Sequence, residues 1–172
     1  MALPALDLLA ESGFALTLVG RSWAKDLFSA YPWTVSSLPD SRVQALRDIK
    51  VNNGLLLTNS FGSAFEFKLA GISAMGYARD GRSWLLRKAI KVNAGDHMVE
   101  YYYRLATALT GTSPDIRRNL QLRIDDSARQ RAQRLLAAHE VGAHYVVLCP
   151  VAVGFHRGKL KAWDGFARLG NE

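Results

Sequence analysis

Three short segments hold the residue types and spacing that chemistry needs. In Leu55-Leu-Leu-Thr-Asn-Ser-Phe-Gly-Ser-Ala64 an apolar, strand-like run gives way to a helix pattern at Asn59, Ser60 and Ser63. Placed at the carboxyl edge of a sheet, these side chains surround a helix N-terminus, whose free N–H groups and dipole favour an anion or a cluster of sugar hydroxyls. The plainer reading is that Ser60 caps the helix and Ser63 satisfies its first turn. In Gly76-Tyr-Ala-Arg-Asp-Gly-Arg-Ser-Trp84, Arg79 and Arg82 flank a turn and have the fork geometry to clamp phosphates, though exposed arginines are more often merely solvated. The third segment, Gly154 to Lys161, is a glycine- and lysine-rich stretch in which Lys159 or Lys161, at the start of a helix, could neutralise a diphosphate. It lacks the Gly-Lys-Ser/Thr spacing of a P-loop.

Other constellations are excluded. His97, His139, His144 and His156 have no metal-ligand spacing with one another or with Cys149, so no metal is expected. No Gly-x-Ser-x-Gly elbow and no Gly-x-Gly-x-x-Gly fingerprint is present, which argues against a serine hydrolase and a dinucleotide oxidoreductase. No cofactor is implied. The lone Cys149 excludes an internal disulfide and reads as a small buried hydrophobe.

The elements that must hold these segments alternate. Strands are expected over Phe14 to Val19, Leu55 to Thr58 after an Asn-Asn-Gly turn at 52–54, Ile72 to Tyr77 (weakened by Gly76) and, most strongly, His144 to Val153. Helices are expected from Leu3 through Leu9, from Trp23 to Ala30, and from Ser60 to Ala70 with Gly71 as the stop. Two further helices follow. One presents Met98, Val99, Tyr102, Leu105, Ala106 and Leu109, and the other presents Ala128, Ala132, Leu135 and Leu136. A short helix over Trp163 to Leu169 closes the chain. Strand and helix in alternation predict an α/β fold, a Rossmann-like parallel sheet flanked by helices.

The chain of 172 residues, 49% hydrophobic and 22% charged, has the balance of a globular domain. No apolar run approaches the roughly 18 residues of a membrane span. The first ten residues lack the basic start of a secretory signal, so a cytoplasmic protein is expected. The formal net charge of +7 favours phosphate-bearing partners. Arg117, Arg118, Arg123, Arg129, Arg131 and Arg134 cluster with few aromatics between them, the pattern of a solvated helix face, and no nucleic acid is expected.

Four pieces in order carry a family resemblance. The run 55–64 resembles the strand–Asn-Ser-Phe-x-Ser-Ala–helix segment of the ADP-heptose:lipopolysaccharide heptosyltransferases. Leu69-Ala-Gly-Ile72, Gly76-Tyr77, Arg82 and Leu85-Leu86 are similar to the stretch that follows it. His97-Met-Val-Glu-Tyr-Tyr102 resembles the next helix. Leu148-Cys-Pro150 and Lys161-Ala-Trp163 resemble the opening of the nucleotide-binding half.

The resemblance implies the N-terminal half of a GT-B glycosyltransferase lacking its first strand. Residues 1–140 would form the acceptor-side domain, and 141–172 the beginning of the nucleotide-sugar-binding domain. Such an enzyme transfers heptose from ADP-heptose to the phosphorylated inner core of lipopolysaccharide, with inversion, beside an anionic membrane surface. Asn59, Ser60, Ser63, Arg79 and Arg82 would then contact the acceptor, and Lys161 the donor diphosphate. The family's aspartate base precedes the segment matched by Met1-Ala-Leu-Pro-Ala-Leu6, so no catalytic residue is expected here, and Asp7 within the helix pattern is no substitute. Pro150-Val-Ala stands where the family has Pro-Gly-Ala, and the bulkier residue hinders phosphate approach. An inactive fragment, with a sheet edge uncovered and prone to aggregation, is the expectation for this chain alone. A non-catalytic binding module and an unrelated nucleotide-binding Rossmann domain are the alternatives, the latter marked by tight ADP binding.

Overall fold

The computed structural model describes all residues except 40, 113, 114, 117–119, 150, 157, 158, 163, 164 and 170–172, with backbone alone described through most of 151–167. Two compact units divide between Asp125 and Asp126.

The first unit opens with α1 (Leu3–Glu11), which tolerates Pro4 because the first turn needs no N–H there. Its Ala5, Leu6, Leu8 and Leu9 are buried. Strand β1 (Thr17–Gly20) pairs in parallel with β2 (Thr34–Ser37) across α2 (Trp23–Leu27). Then α3 (Arg42–Asp48) leads to β3 (Asn53–Leu56), α4 (Phe61–Leu69), β4 (Ser73–Tyr77), a 3-10 turn over Arg82–Leu85 and β5 (Lys88–Ile90). Strands β3, β4 and β5 form a second parallel sheet in that order. Helix α5 (Met98–Thr110) packs on α1, where Ala5, Leu8 and Leu9 meet Tyr103 and Ala106.

The expected parallel sheet with flanking helices is present, in two pieces. Among the described residues β1 and β3 are not hydrogen-bonded to one another. Both still feed the α1 layer: Leu16, just ahead of β1, and Leu55 of β3 pack on the same α1–α5 cluster.

Several local expectations shift for identifiable reasons. Gly54 is not a turn residue but lies within β3, because a Cβ there would stand 2.4 Å from the Phe67 ring of α4. The strand expected through Thr58 stops at Leu56, since the Thr58 carbonyl accepts from Arg82 Nη1 at 2.6 Å instead of joining a ladder. Gly71 does end α4, with φ of 82° and paired bonds from Gly71 N to Lys68 O and from Ile72 N to Phe67 O. Helix α5 starts at a capping box formed by His97 and Glu100, so His97 is a cap. Tyr101 and Tyr103 face inward on α5, whereas Met98 is exposed. The sequence pattern did not reveal β2, α3 or β5, which are short.

The second unit holds α6 (Asp126–Ala138), an antiparallel pair β6 (Val151–His156) and β7 (Lys159–Ala162), and α7 (Phe166–Leu169). The strand expected over His144 to Val153 is corrected. Residues 144–149 are not in a strand, Val146 is 84% exposed and Cys149 is exposed rather than buried. An apolar run of that kind needs paired strands on both sides and helix cover, which the described residues of this unit do not supply. The stretch Gly154 to Lys161, expected to lead into a helix at Lys159 or Lys161, instead falls largely in β6 and β7, with an irregularity between Ala152 and Phe155. Of the expected closing helix only Phe166–Leu169 is present, and Trp163 lies outside the described residues, as do Pro150, Arg117 and Arg118.

Candidate functional site

The site is built where β3 ends. Beyond Leu56 the chain leaves the sheet and turns into α4, so residues 57–60 lie at the carboxyl edge of parallel strands, the position where open α/β sheets gather ligands. Ser60 has extended backbone (φ −65°, ψ 140°) and its Oγ accepts from Ser63 N at 3.1 Å. That bond satisfies one of the orphan N–H groups of the helix and is worth about 1 kcal/mol. The Ser60 and Ser63 hydroxyls are also 2.6 Å apart, so the two serines act as one unit. Between them Gly62 leaves open space, with nothing within 4 Å of where a Cβ would stand.

Beneath this loop lies Arg82. Expected as a phosphate clamp in an exposed turn, it is fully buried at 0% exposure. Its Nε donates to Tyr77 O at 3.0 Å, and Nη1 donates to Thr58 O at 2.6 Å and Ser60 O at 3.2 Å. Its Nη2 donates to Asn59 Oδ1 at 3.3 Å. The fork is thus spent on the loop rather than offered to solvent. Burial lowers the Arg82 pKa, and Tyr101 and Asp80 push it back.

Gly76 makes room for this arrangement. A Cβ there would stand 3.1 Å from Arg82 Nη2 and 3.2 Å from Leu56 Cβ. The residue that weakens β4 as a sequence pattern is therefore what admits the guanidinium. Gly81 (φ 70°) and Asp80 (φ 52°) form the left-handed turn that swings Arg82 back beneath the sheet edge.

The other wall is aromatic. Tyr77 and Tyr101 stack with centroids 4.0 Å apart, and the Tyr77 hydroxyl donates to Tyr101 O at 2.6 Å. The Tyr101 hydroxyl donates to Asn59 Oδ1 at 2.9 Å. Burial first, then the neighbouring Tyr101, pushes the Tyr77 hydroxyl up to about 12. The loop before α5 is tied separately, Arg104 donating Nε and Nη2 to Asp96 at 2.8 Å each and holding that carboxyl below its usual range.

The Asn59 amide oxygen therefore accepts from two donors, one from each wall. With its oxygen so occupied, the NH2 half of this partly buried amide is left as its remaining donor. Together with the open N-terminus of α4 it makes a cluster of donors suited to sugar or phosphate oxygens.

Of the residues singled out in the sequence, the structure brings Asn59, Ser60, Ser63 and Arg82 together. Arg79 is exposed at the neighbouring turn, its carbonyl accepting from Arg82 N. Lys161 is not at a helix start but in β7, paired with Ala152, in the other unit, and its side chain lies outside the described residues. Tyr77 and Tyr101 were missed as site residues; only their place in the Gly-Tyr and Glu-Tyr-Tyr segments marked them. Among the described residues no group of His, Cys, Asp and Glu could hold a metal ion, and no helix is long and apolar enough to cross a membrane.

A Rossmann-like α/β unit with its donor cluster at the carboxyl edge of a parallel sheet is the architecture found in sugar transferases of the GT-B class. The chain belongs to glycosyltransferase family 9 (heptosyltransferase), whose model matches residues 41–172. Two solved structures are similar to it. The ADP-heptose lps heptosyltransferase II of E. coli shares 21% identity at a TM-score of 0.63, covering 83% of this chain and 46% of that one. The E. coli heptosyltransferase WaaC with ADP shares 18% identity at a TM-score of 0.55, covering 77% and 48%. The chain thus spans about half the length of these structures. No curated protein matches it.

Proposed function

We propose that this chain supplies the acceptor side of a heptose transfer from ADP-heptose to the phosphorylated inner core of lipopolysaccharide, with inversion at the anomeric carbon. The observation that carries the reading is Asn59, which precedes the N-terminus of α4 and whose oxygen is held by Tyr101 and Arg82, leaving its NH2 as the donor for a ligand. Family membership and the likeness to heptosyltransferases, one of them holding ADP, support the sugar and the donor.

Residue roles follow. Asn59, Ser60 and Ser63 bind acceptor oxygens, and exposed Arg79 contacts an acceptor phosphate. Arg82 positions the loop from beneath. Lys161 is assigned to the donor diphosphate by its match to the family's lysine, with residues 141–172 opening the donor-binding domain and residues 1–140 forming the acceptor side. An acceptor anchored in a membrane implies peripheral contact with that anionic surface, for which the +7 balance is suited.

The test is comparative calorimetry with a deacylated, heptose-free inner-core phosphosaccharide and with ADP. The reading predicts saturable binding of the saccharide and much weaker binding of ADP. Tight ADP binding with no saccharide binding would identify a nucleotide-binding domain of another kind.

A further inference from the structure

Helix α4 carries an apolar stripe on its outer face. Phe61, Phe65 and Leu69 recur every four residues, which places them one above another, and all three are exposed. The Phe61 and Phe65 rings have centroids 6.3 Å apart. Trp84, from the 3-10 turn, lies 6.2 Å from Phe61 and is 70% exposed. The core does not use this stripe, because α4 meets it through Ala64 and Phe67 on its other side. Four large apolar side chains in one surface run mark an interaction site rather than scattered exposure.

Exposed cations lie beside the stripe along the chain. Arg47 donates Nη2 to Leu69 O at 2.9 Å, exposed Lys68 stands seven residues after Phe61 on the same side, and exposed Arg87 follows Trp84 by three. The acidic residue on this helix, Glu66, is ion-paired with Arg42 at 3.4 Å. Residues 41–88 contain eight Lys and Arg against three Asp and Glu, a local balance of +5 within the chain's +7. Aromatic rings edged by basic side chains match a bilayer interface, where rings sit at headgroup depth and cations meet lipid phosphates.

We propose that Phe61, Phe65, Leu69 and Trp84 dock on an anionic lipid bilayer, with Arg47, Lys68 and Arg87 facing its phosphates. The stripe starts at the residue after Ser60, so docking there brings a membrane-anchored acceptor to the N-terminus of α4. The inference rests on the membrane contact proposed above and names the surface that makes it.

The experiment is co-sedimentation with vesicles of phosphatidylethanolamine and phosphatidylglycerol, beside vesicles of phosphatidylcholine alone. The expected result is binding to the anionic vesicles only, weakened by salt and at least about tenfold weaker in a Phe65→Ser, Trp84→Ser double variant of unchanged circular dichroism. A Lys68→Gln, Arg87→Gln variant, which leaves the apolar stripe intact, should lose part of the binding and most of its salt dependence. Undiminished binding by both variants would overturn this surface while leaving membrane contact standing. Failure of the parent protein to bind anionic vesicles would overturn both. Equal binding to neutral vesicles would overturn the electrostatic half of the proposal.

Discussion

The Tyr101 hydroxyl donates to the side-chain oxygen of Asn59 across 42 residues of sequence, at 2.9 Å. With Arg82 on the same oxygen, the amide cannot flip without placing its NH2 against two donors. A single residue of the loop is thereby given a fixed polarity by a helix on one side and a buried cation on the other.

Arg82 carries the loop. Replacing it with alanine leaves the Tyr77, Thr58 and Ser60 carbonyls short of a donor, at about 1–3 kcal/mol for each that stays buried, while the Asn59 oxygen keeps its bond from Tyr101. The expected loss in urea denaturation is at least about 3 kcal/mol. Arg82→Lys should recover little of it, because one ammonium cannot reach four oxygens in a planar fork.

Gly76→Ala should act through Arg82. The added methyl would press on Nη2 at 3.1 Å and on Leu56 Cβ at 3.2 Å, both tight, with backbone strand partners on either side. A loss of about 1–3 kcal/mol is expected, from overpacking. Amide exchange should show it as faster opening of residues 58–60 relative to the α1–α5 layer.

Tyr77 ties stability to alkaline pH. Its folded pKa of about 12 lies above the unfolded value near 10, so the fold favours the protonated phenol. The stabilisation is full below about pH 10 and is lost as pH rises through the folded value. Absorbance titration of the phenolates should reveal one late tyrosine, absent in Tyr77→Phe.

Much of the framework was legible because its signals are local. The α5 pattern is amphipathic, α4 opens on a capping serine, and Gly71 is a helix stop whatever surrounds it. Asn59, Ser60 and Ser63 announce themselves as a strand-to-helix junction. The rest depends on tertiary neighbours. Arg82 reads as a surface clamp until β4, with Gly76 as its fourth residue, makes a slot for it. Gly54 reads as a turn until Phe67 arrives above it. The run 144–149 has the composition of a buried strand, but composition cannot supply the strands and helix cover that would bury it.

The most direct test of the site is the Asn59→Asp variant titrated with the heptose-free inner-core phosphosaccharide. The carboxylate can still accept from Tyr101 and Arg82, so the melting temperature should hold, while the remaining NH2 becomes an oxygen that repels acceptor oxygens and phosphate. The account predicts that affinity falls at least about tenfold, a loss of about 1.4 kcal/mol or more, with the fold intact. Unchanged affinity in a folded Asn59→Asp protein would contradict it and place the acceptor elsewhere.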